Sequence, residues 1–316
     1  MREKLPDSRL VRFLEDTTQS GGVDFHLHSY FSDGAQSPTA LVEEVLRKKL
    51  FAFSLTDHDT MAGNFEARDA LRQICPTSRD ISDYKPGDEK RKGEIPWFVP
   101  GVECSTQFED QEIHLLGYFT EVDPPEMKQF LKKQADLRVK RNEAMINKLN
   151  ALGYQITPFE FRRYGVDQTV LGRVHMALWL VEYAGFPSIK EAFRRLLNEG
   201  CPAFVPREKH TVEEVAGAIA KSGGVTVLAH PQQYRWCEDI NSPETTQSLT
   251  RCFSDCQSMG VLGVECFHGQ ASQEESQLMS EVAKGLGMIC TAGSDSHGRD
   301  DQHAHMYEGG TVFNLD

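Results

Sequence analysis

The sequence predicts an α/β fold in which short, mostly parallel strands alternate with helices and carry reactive side chains at their carboxyl ends. Three observations predict it. Short apolar runs, such as 23–28 and 51–56, are followed by segments with helical spacing of apolar residues. Polar clusters stand directly after those runs, DHD at 57–59 and SDSH at 294–297 among them. The chain has 316 residues, 39% hydrophobic and 26% charged, enough to bury a large core.

The elements follow in order. Residues 1–22 read as a polar N-terminal extension with one short helix near Leu10–Phe13. The strand at 23–28 places His26 and His28 on one face, because strand side chains alternate with a period of two. Asp33 follows in a turn-like SDG. Two imidazoles aimed at one point suit a metal ion, although a hydrogen-bonded histidine pair at a strand end has the same spacing. Ser37 as N-cap and Pro38 behind it open a helix with the apolar stripe Leu41, Val45 and Leu46. The strand at 51–56 runs into Asp57-His58-Asp59 and completes a βαβ unit.

The charged, Pro- and Gly-containing stretch 75–95 reads as a surface loop. A third strand, 97–102, ends at Glu103, and 112–119 alternates as a half-buried strand carrying His114. From about 123 to 200 the pattern is helical, with helices at 126–152, 170–183 and 189–197, and reads as an insertion capping the rest. Arg138 and Arg141 fall on a charged helix face and read as surface residues, Met127 and Met145 as core filler. Alternation then resumes: helix 211–221, strand 224–229 with His230-Pro231 at its end, helix 244–259, strand 263–266, helix 273–286, and strand 288–292 before Asp295 and His297. The expected organisation is an extension (1–22), a first barrel part (23–122), a helical insertion (123–200) and a second barrel part (201–316).

Composition narrows the function. No run of about 18 apolar residues occurs and the charged N-terminus lacks a signal-like apolar stretch, so a cytoplasmic protein without a membrane partner is expected. The eight cysteines form no C-x-x-C pair and sit mostly in apolar runs, as buried reduced thiols do. A net charge of −13 counts against stable binding of long nucleic acid, yet admits a small anionic substrate held by cations.

His26, His28, His58, Glu103, His230, Asp295 and His297 all stand at strand ends, with Asp33 and His114 close by. In β/α barrels those ends converge on one face. Imidazole and carboxylate donors without thiolate suit Zn, Mn, Fe or Ni. Nine donors exceed the needs of one ion, so two or three ions sharing a carboxylate are expected, with Glu103 as the bridge.

HLH…SDG, TDHD, GVE…H, AHP and GSDSHG, in this order over about residues 23–300, resemble the PHP (polymerase and histidinol phosphatase) family of metal-dependent phosphoesterases. The resemblance implies a distorted seven-stranded (β/α) barrel with two to three divalent ions (Mn2+, Fe2+ or Zn2+). It implies His26, His28, Glu103 and Asp295 for the first metal, Asp33, His58, His297 and bridging Glu103 for the second, and Glu103, His114 and His230 for the third. The SDG form and the GRVH at 172–175 resemble one branch, whose members act on nucleoside 3′,5′-bisphosphates and in some cases on the 5′ ends of short RNA. The activity so implied is removal of the 3′-phosphate of such a bisphosphate (pAp to AMP, for example), with 5′-to-3′ trimming of short oligoribonucleotides. A phosphatase for another metabolite such as histidinol phosphate, and a non-catalytic module stapled by metals, are the alternatives. The Asp33 position is commonly histidine in histidinol phosphatases. Cys201 and Gln232-Gln233 depart from the branch, which often has a basic residue and a Gly-Arg pair there.

The candidate catalytic residues are Asp59 and His230. Asp59 could orient an imidazole or serve as a turn or helix-cap carboxylate. Arg173 and His175 are candidates for gripping a second phosphate, because guanidinium forks match phosphate geometry. Arg207, with Lys209 and His210 after a strand-like 203–205, either adds phosphate contacts or lies solvated in a loop.

Overall fold

The computed structural model describes residues 7–76, 81, 84–85, 96–164, 170–206, 209–299 and 305–313. Seven strands lie side by side in chain order: β1 (Val23–Leu27), β2 (Ala52–Leu55), β3 (Trp97–Phe108), β4 (Gln111–Tyr118), β5 (Val225–Leu228), β6 (Gly263–His268) and β7 (Ile289–Gly293). A parallel bridge from Leu27 to Ser296, just beyond β7, brings the two edges together into a nearly closed barrel. The distortion has one source. β4 runs antiparallel to both β3 and β5, while β1-β2, β2-β3, β5-β6 and β6-β7 are parallel.

β3 corrects the sequence reading. It does not stop at Glu103 but continues to Phe108 and turns back through Glu109, at φ 49°, into β4. Glu103 therefore sits inside a β-hairpin, with its side chain on the same face as Ser105, and Ser105 pairs with His114. The cross-strand register, not a strand end, brings His114 to Glu103.

Helices sheathe the barrel. α1 (Ser8–Ser20), capped by the Asp7 side chain, is longer than expected and buries Leu10, Phe13 and Leu14 beneath β1 and β7. α2 (Pro38–Lys48) starts at the Ser37 cap as expected and stops at Lys49, which is left-handed at φ 58°. α3 (Ala62–Ile74) packs beside it on a satellite core with Leu41, Val42 and Leu71. Of the stretch 75–95, Ile81 and Tyr84 are buried against the barrel core; residues 77–80, 82–83 and 86–95 lie outside the described residues.

The helical segment has a core of its own. α4 (Pro125–Ala151), about 40 Å long, places Met127 and Leu131 in the barrel core, and Met145, Ile146 and Leu149 in a separate cluster with Phe161, Met176 and Trp179. Both methionines are thus core residues. α5 (Pro158–Arg162), α6 (Arg173–Ala184) and α7 (Ile189–Ala192) complete this layer, α7 running on as a π-helical turn over Phe193–Leu197. Residues 203–205 form no strand. α8 (Val212–Lys221) and α10 (Gln273–Gly285) begin with capping boxes, Thr211 with Glu214 and Ser272 with Glu275, and α9 (Pro243–Ser258) begins at Ser242. Among the described residues no helix is long and apolar enough to cross a membrane.

Candidate metal centre and active site

The barrel mouth gathers all nine expected donors around Glu103. Its Oε2 lies 3.3 Å from His26 Nε2, 3.2 Å from His28 Nε2 and 2.9 Å from His58 Nδ1. Its Oε1 lies 2.7 Å from His114 Nδ1 and 2.9 Å from His230 Nε2. Asp295 Oδ1 reaches His28 Nε2 at 3.1 Å and His26 Nε2 at 3.5 Å. Asp33 Oδ1 lies 3.2 Å from His297 Nε2, and Asp33 Oδ2 3.9 Å from His58 Nε2.

Among the described residues, three donor sets lie close enough to share a cation. They are His26, His28, Glu103 and Asp295; His28, Asp33, His58 and His297; and His58, Glu103 and His114, the donor atoms of each set within 4.8 Å of one another. The first equals the expected set. The second has His28 where Glu103 was expected, because the imidazole of His28 stacks on that of His297 with centroids 4.2 Å apart. In the third His58 stands where His230 was expected, while His230 Nε2 remains 3.3 Å from His114 Nδ1.

The chemistry of these donors fits divalent cations. His26 Nε2, His28 Nε2, Asp33 Oδ1, His58 Nδ1 and Glu103 Oε2 are buried and have no hydrogen-bond partner. Each such orphan costs about 1–3 kcal/mol unless something else satisfies it. Imidazole nitrogens and carboxylate oxygens, without thiolate, suit Mn, Fe or Zn. Burial opposes charge on Glu103, Asp33 and Asp295, yet the histidines hold all three well below the usual carboxylate range. Likewise Asp295 and Glu103 push His28, and Glu103 pushes His114, up to about 10 against the opposing effect of burial. The site concentrates negative charge beside imidazoles, as a cation site requires.

Three residues at the mouth hold left-handed backbone without being glycine: Asp59 at φ 54°, His230 at φ 31° and Asp295 at φ 58°. Asp57 braces the 29–34 loop by accepting from Ser29 N (2.8 Å), Ser29 Oγ (2.7 Å) and Ser32 Oγ (2.6 Å). The Asp59 carboxylate accepts from Ser105 N at 3.2 Å and pairs with Arg138.

A cavity of about 370 Å3 opens from this cluster. Asp33, His58 and His114 line it together with Arg138, Arg141, Arg173 and Lys209, the acids Asp110, Glu112 and Glu199, and Phe193 and Phe204. Arg138 and Arg141 are therefore not surface residues, because the face of α4 that carries them is roofed by the helical layer. The Arg173 guanidinium lies 5.8 Å and 5.9 Å from the centroids of Phe193 and Phe204. Lys209 Nζ pairs with Glu112 Oε2 at 2.6 Å, and Glu112 Oε1 lies 3.7 Å from His114 Nε2. His210 pairs with Glu214 at 3.0 Å. Arg207 lies outside the described residues.

His175 plays another part than the one expected. Its Nδ1 accepts from Gly172 N at 3.0 Å, capping α6. Burial lowers its pKa to about 4, which favours the neutral ring, and the residue lines the cavity beside Arg173. Glu265 and His268 of β6 were missed altogether: Glu265 lies 2.9 Å from His26 and His268 lies 3.4 Å from Asp295. The GVECFH string offered the signal, an acid and a histidine within an apolar strand, but neither stands beyond its end.

A nearly closed barrel with this donor cluster at its mouth defines a metal-dependent hydrolase. The family model for the PHP domain matches residues 24–196, and the chain belongs to the PHP domain family as a metal-dependent phosphoesterase. It is 28% identical over 284 residues to the 5′-3′ exoribonuclease Rnm of Escherichia coli strain K12, covering 90% of this chain and 88% of that protein. It is also 28% identical over 286 residues to a 3′,5′-nucleoside bisphosphate phosphatase of Chromobacterium violaceum, covering 89% and 90%. A solved structure described as an amidohydrolase from Chromobacterium violaceum, with bound sulfate and no metal, superposes with TM-score 0.73 at 26% identity over 90% of each chain. A structure from Bifidobacterium adolescentis shares the fold, with TM-score 0.72 at 24% identity over 90% of this chain and 92% of that one.

Proposed function

We propose that the protein removes the 3′-phosphate of nucleoside 3′,5′-bisphosphates and trims short oligoribonucleotides from their 5′ ends, using two to three Mn2+, Fe2+ or Zn2+ ions. One observation carries this reading: a single cavity joins the donor cluster to Arg138, Arg141, Arg173 and Lys209. A substrate with two phosphates can meet both the donors and the basic side chains. Its volume lies within the roughly 300–1,000 Å3 of small-molecule sites. The names of the relatives in Escherichia coli and Chromobacterium violaceum support the same substrate class.

Bound cations would supply Lewis-acid charge and an acidified water at the donor end. The side chains do the rest. His26, His28, Glu103 and Asp295 would hold one ion, and Asp33, His58 and His297 with His28 another. His230 serves with Glu103 and His114. Arg138, aimed by Asp59, and Arg141 hold the distal phosphate by charge-assisted hydrogen bonds. Phe193 and Phe204, with Arg173 between them, offer a flat apolar wall to the nucleoside. The helical layer of 123–200 acts as the substrate cap. A cytoplasmic location belongs to this reading, supported by eight free thiols, six of them buried.

The test is phosphate release by Mn-loaded protein on 3′,5′-bisphosphates, short 5′-phosphorylated RNA and histidinol phosphate. Turnover of the first two is expected. Turnover of histidinol phosphate alone, or of none, would overturn the proposal.

A further inference from the structure

Strand β6 supplies none of the donors assigned above, yet two of its side chains grip them. We infer that Glu265 and His268 are positioning residues that set the tautomer and aim of the first cation's ligands. Glu265 is wholly buried; its Oε1 lies 2.9 Å from His26 Nδ1, and its Oε2 accepts the His230 backbone N–H at 2.8 Å. With the Nδ1–H of His26 committed to a carboxylate, Nε2 is left bare and turned toward Glu103 and Asp295, as a ligand requires. The same carboxylate tethers His230 in its left-handed conformation. One side chain thus ties together ligands drawn from β1 and from the end of β5.

His268 acts on the other side. Its Nδ1 accepts from Gln270 N at 3.1 Å, so its Nε2 carries the proton and faces Asp295 Oδ2 at 3.4 Å. That contact leaves Asp295 Oδ1 toward His28 Nε2, 3.1 Å away.

The fold is built for these contacts. Side chains three apart on a regular strand face opposite ways. The β6–β7 register shifts between Glu265 and Phe267, a bulge that turns His268 to the same interior as Glu265. On β7, Gly293 leaves the space: a Cβ there would stand 2.4 Å from Glu265 Oε1 and 2.3 Å from His26 Cβ.

The inference rests on the cluster being a cation site, and the test separates the two claims. Full-length protein, stripped with chelator, is titrated with Mn2+ and with Zn2+, and bound metal is counted. Glu265→Gln is expected to weaken binding about 10–100-fold, because an amide cannot accept from both His26 and His230. Melting of the stripped proteins reports folding independently. Wild-type affinity in a folded Glu265→Gln protein would overturn the positioning role; absence of binding by the wild type would overturn the cation site itself. Should Glu265→Gln not fold, long-range proton–nitrogen NMR spectra of the Zn-loaded wild type decide. His26 carrying its proton on Nδ1 is expected, and a proton on Nε2 would overturn the inference.

Discussion

Glu103 Oε1 stands 2.7 Å from His114 Nδ1, a contact made across the β3–β4 hairpin and possible only because β4 runs against its neighbours. The same carboxylate meets four further imidazoles, those of His26, His28, His58 and His230. Glu103→Gln keeps the shape and removes the charge that all five share. The expected outcome is loss of bound metal and a fall in turnover of more than about 100-fold. Elemental analysis beside the assay checks it, and a variant with full metal content and activity would refute the central role of Glu103.

Much of this centre was legible because strand geometry is periodic. His26 and His28 share a face by the rule of two, and His58, His230, Asp295 and His297 follow apolar runs that can only be strands. What was hidden depends on partners far away in sequence. Arg138 and Arg141 sit on a polar helix face, and polarity alone does not say whether that face meets water or a roofed cavity. His175 reads as a cation until its cap bond to Gly172 is seen. His268 needs a bulge, which breaks the period that sequence reading relies on.

Asp59 is buried and pairs with Arg138, which also lines the cavity, and the two single substitutions should differ in kind. Arg138→Met removes a phosphate contact and is expected to raise KM for a bisphosphate about 10–100-fold, the worth of a charge-assisted hydrogen bond of about 1.5–3 kcal/mol. Asp59→Asn removes the partner of a guanidinium that still faces the cavity, and should cost about 1–3 kcal/mol of stability. The double variant should be more stable than Asp59→Asn alone. Steady-state kinetics and denaturant unfolding check the set; an unchanged KM in Arg138→Met would exclude it from the substrate site.

His175 predicts an acid-sensitive fold. Burial lowers its pKa from 6.5 to about 4, so the folded state favours the neutral ring. Its contribution is complete above pH 6.5 and disappears as pH falls toward 4, where the unfolded chain takes the proton first. That gap corresponds to about 3 kcal/mol. Between pH 7.5 and 4.5, wild type should lose roughly 2–3 kcal/mol more than His175→Gln. Equal losses in urea unfolding would show that His175 does not carry the effect.

Chelation should stop the chemistry and spare the fold. The barrel core and the separate core of the helical layer are built from apolar side chains that need no cation to pack. Stripped protein is expected to keep its far-UV circular dichroism, to melt at lower temperature, and to regain activity on adding Mn2+. Full activity in protein shown by elemental analysis to be free of metal would contradict metal dependence.

Gly34 closes the SDG turn where the chain passes over its own first strand. A Cβ there would lie 2.3 Å from the His28 carbonyl oxygen, 2.5 Å from its carbon and 2.8 Å from Ser29 N, all backbone atoms with little room to yield. Gly34 N also donates to Ser29 O at 2.9 Å, which ties the turn that aims Asp33 at His297 and His58. Gly34→Ala must therefore push the turn outward and carry Asp33 with it. The damage should fall on the second donor set more than on the barrel, whose core does not include this loop. The expected result is a Tm lowered by several degrees, about 1–2 kcal/mol of stability, with a disproportionate loss of kcat and of one equivalent of bound cation. A variant that melts lower yet binds cations like wild type would show that the turn supports the fold without placing Asp33.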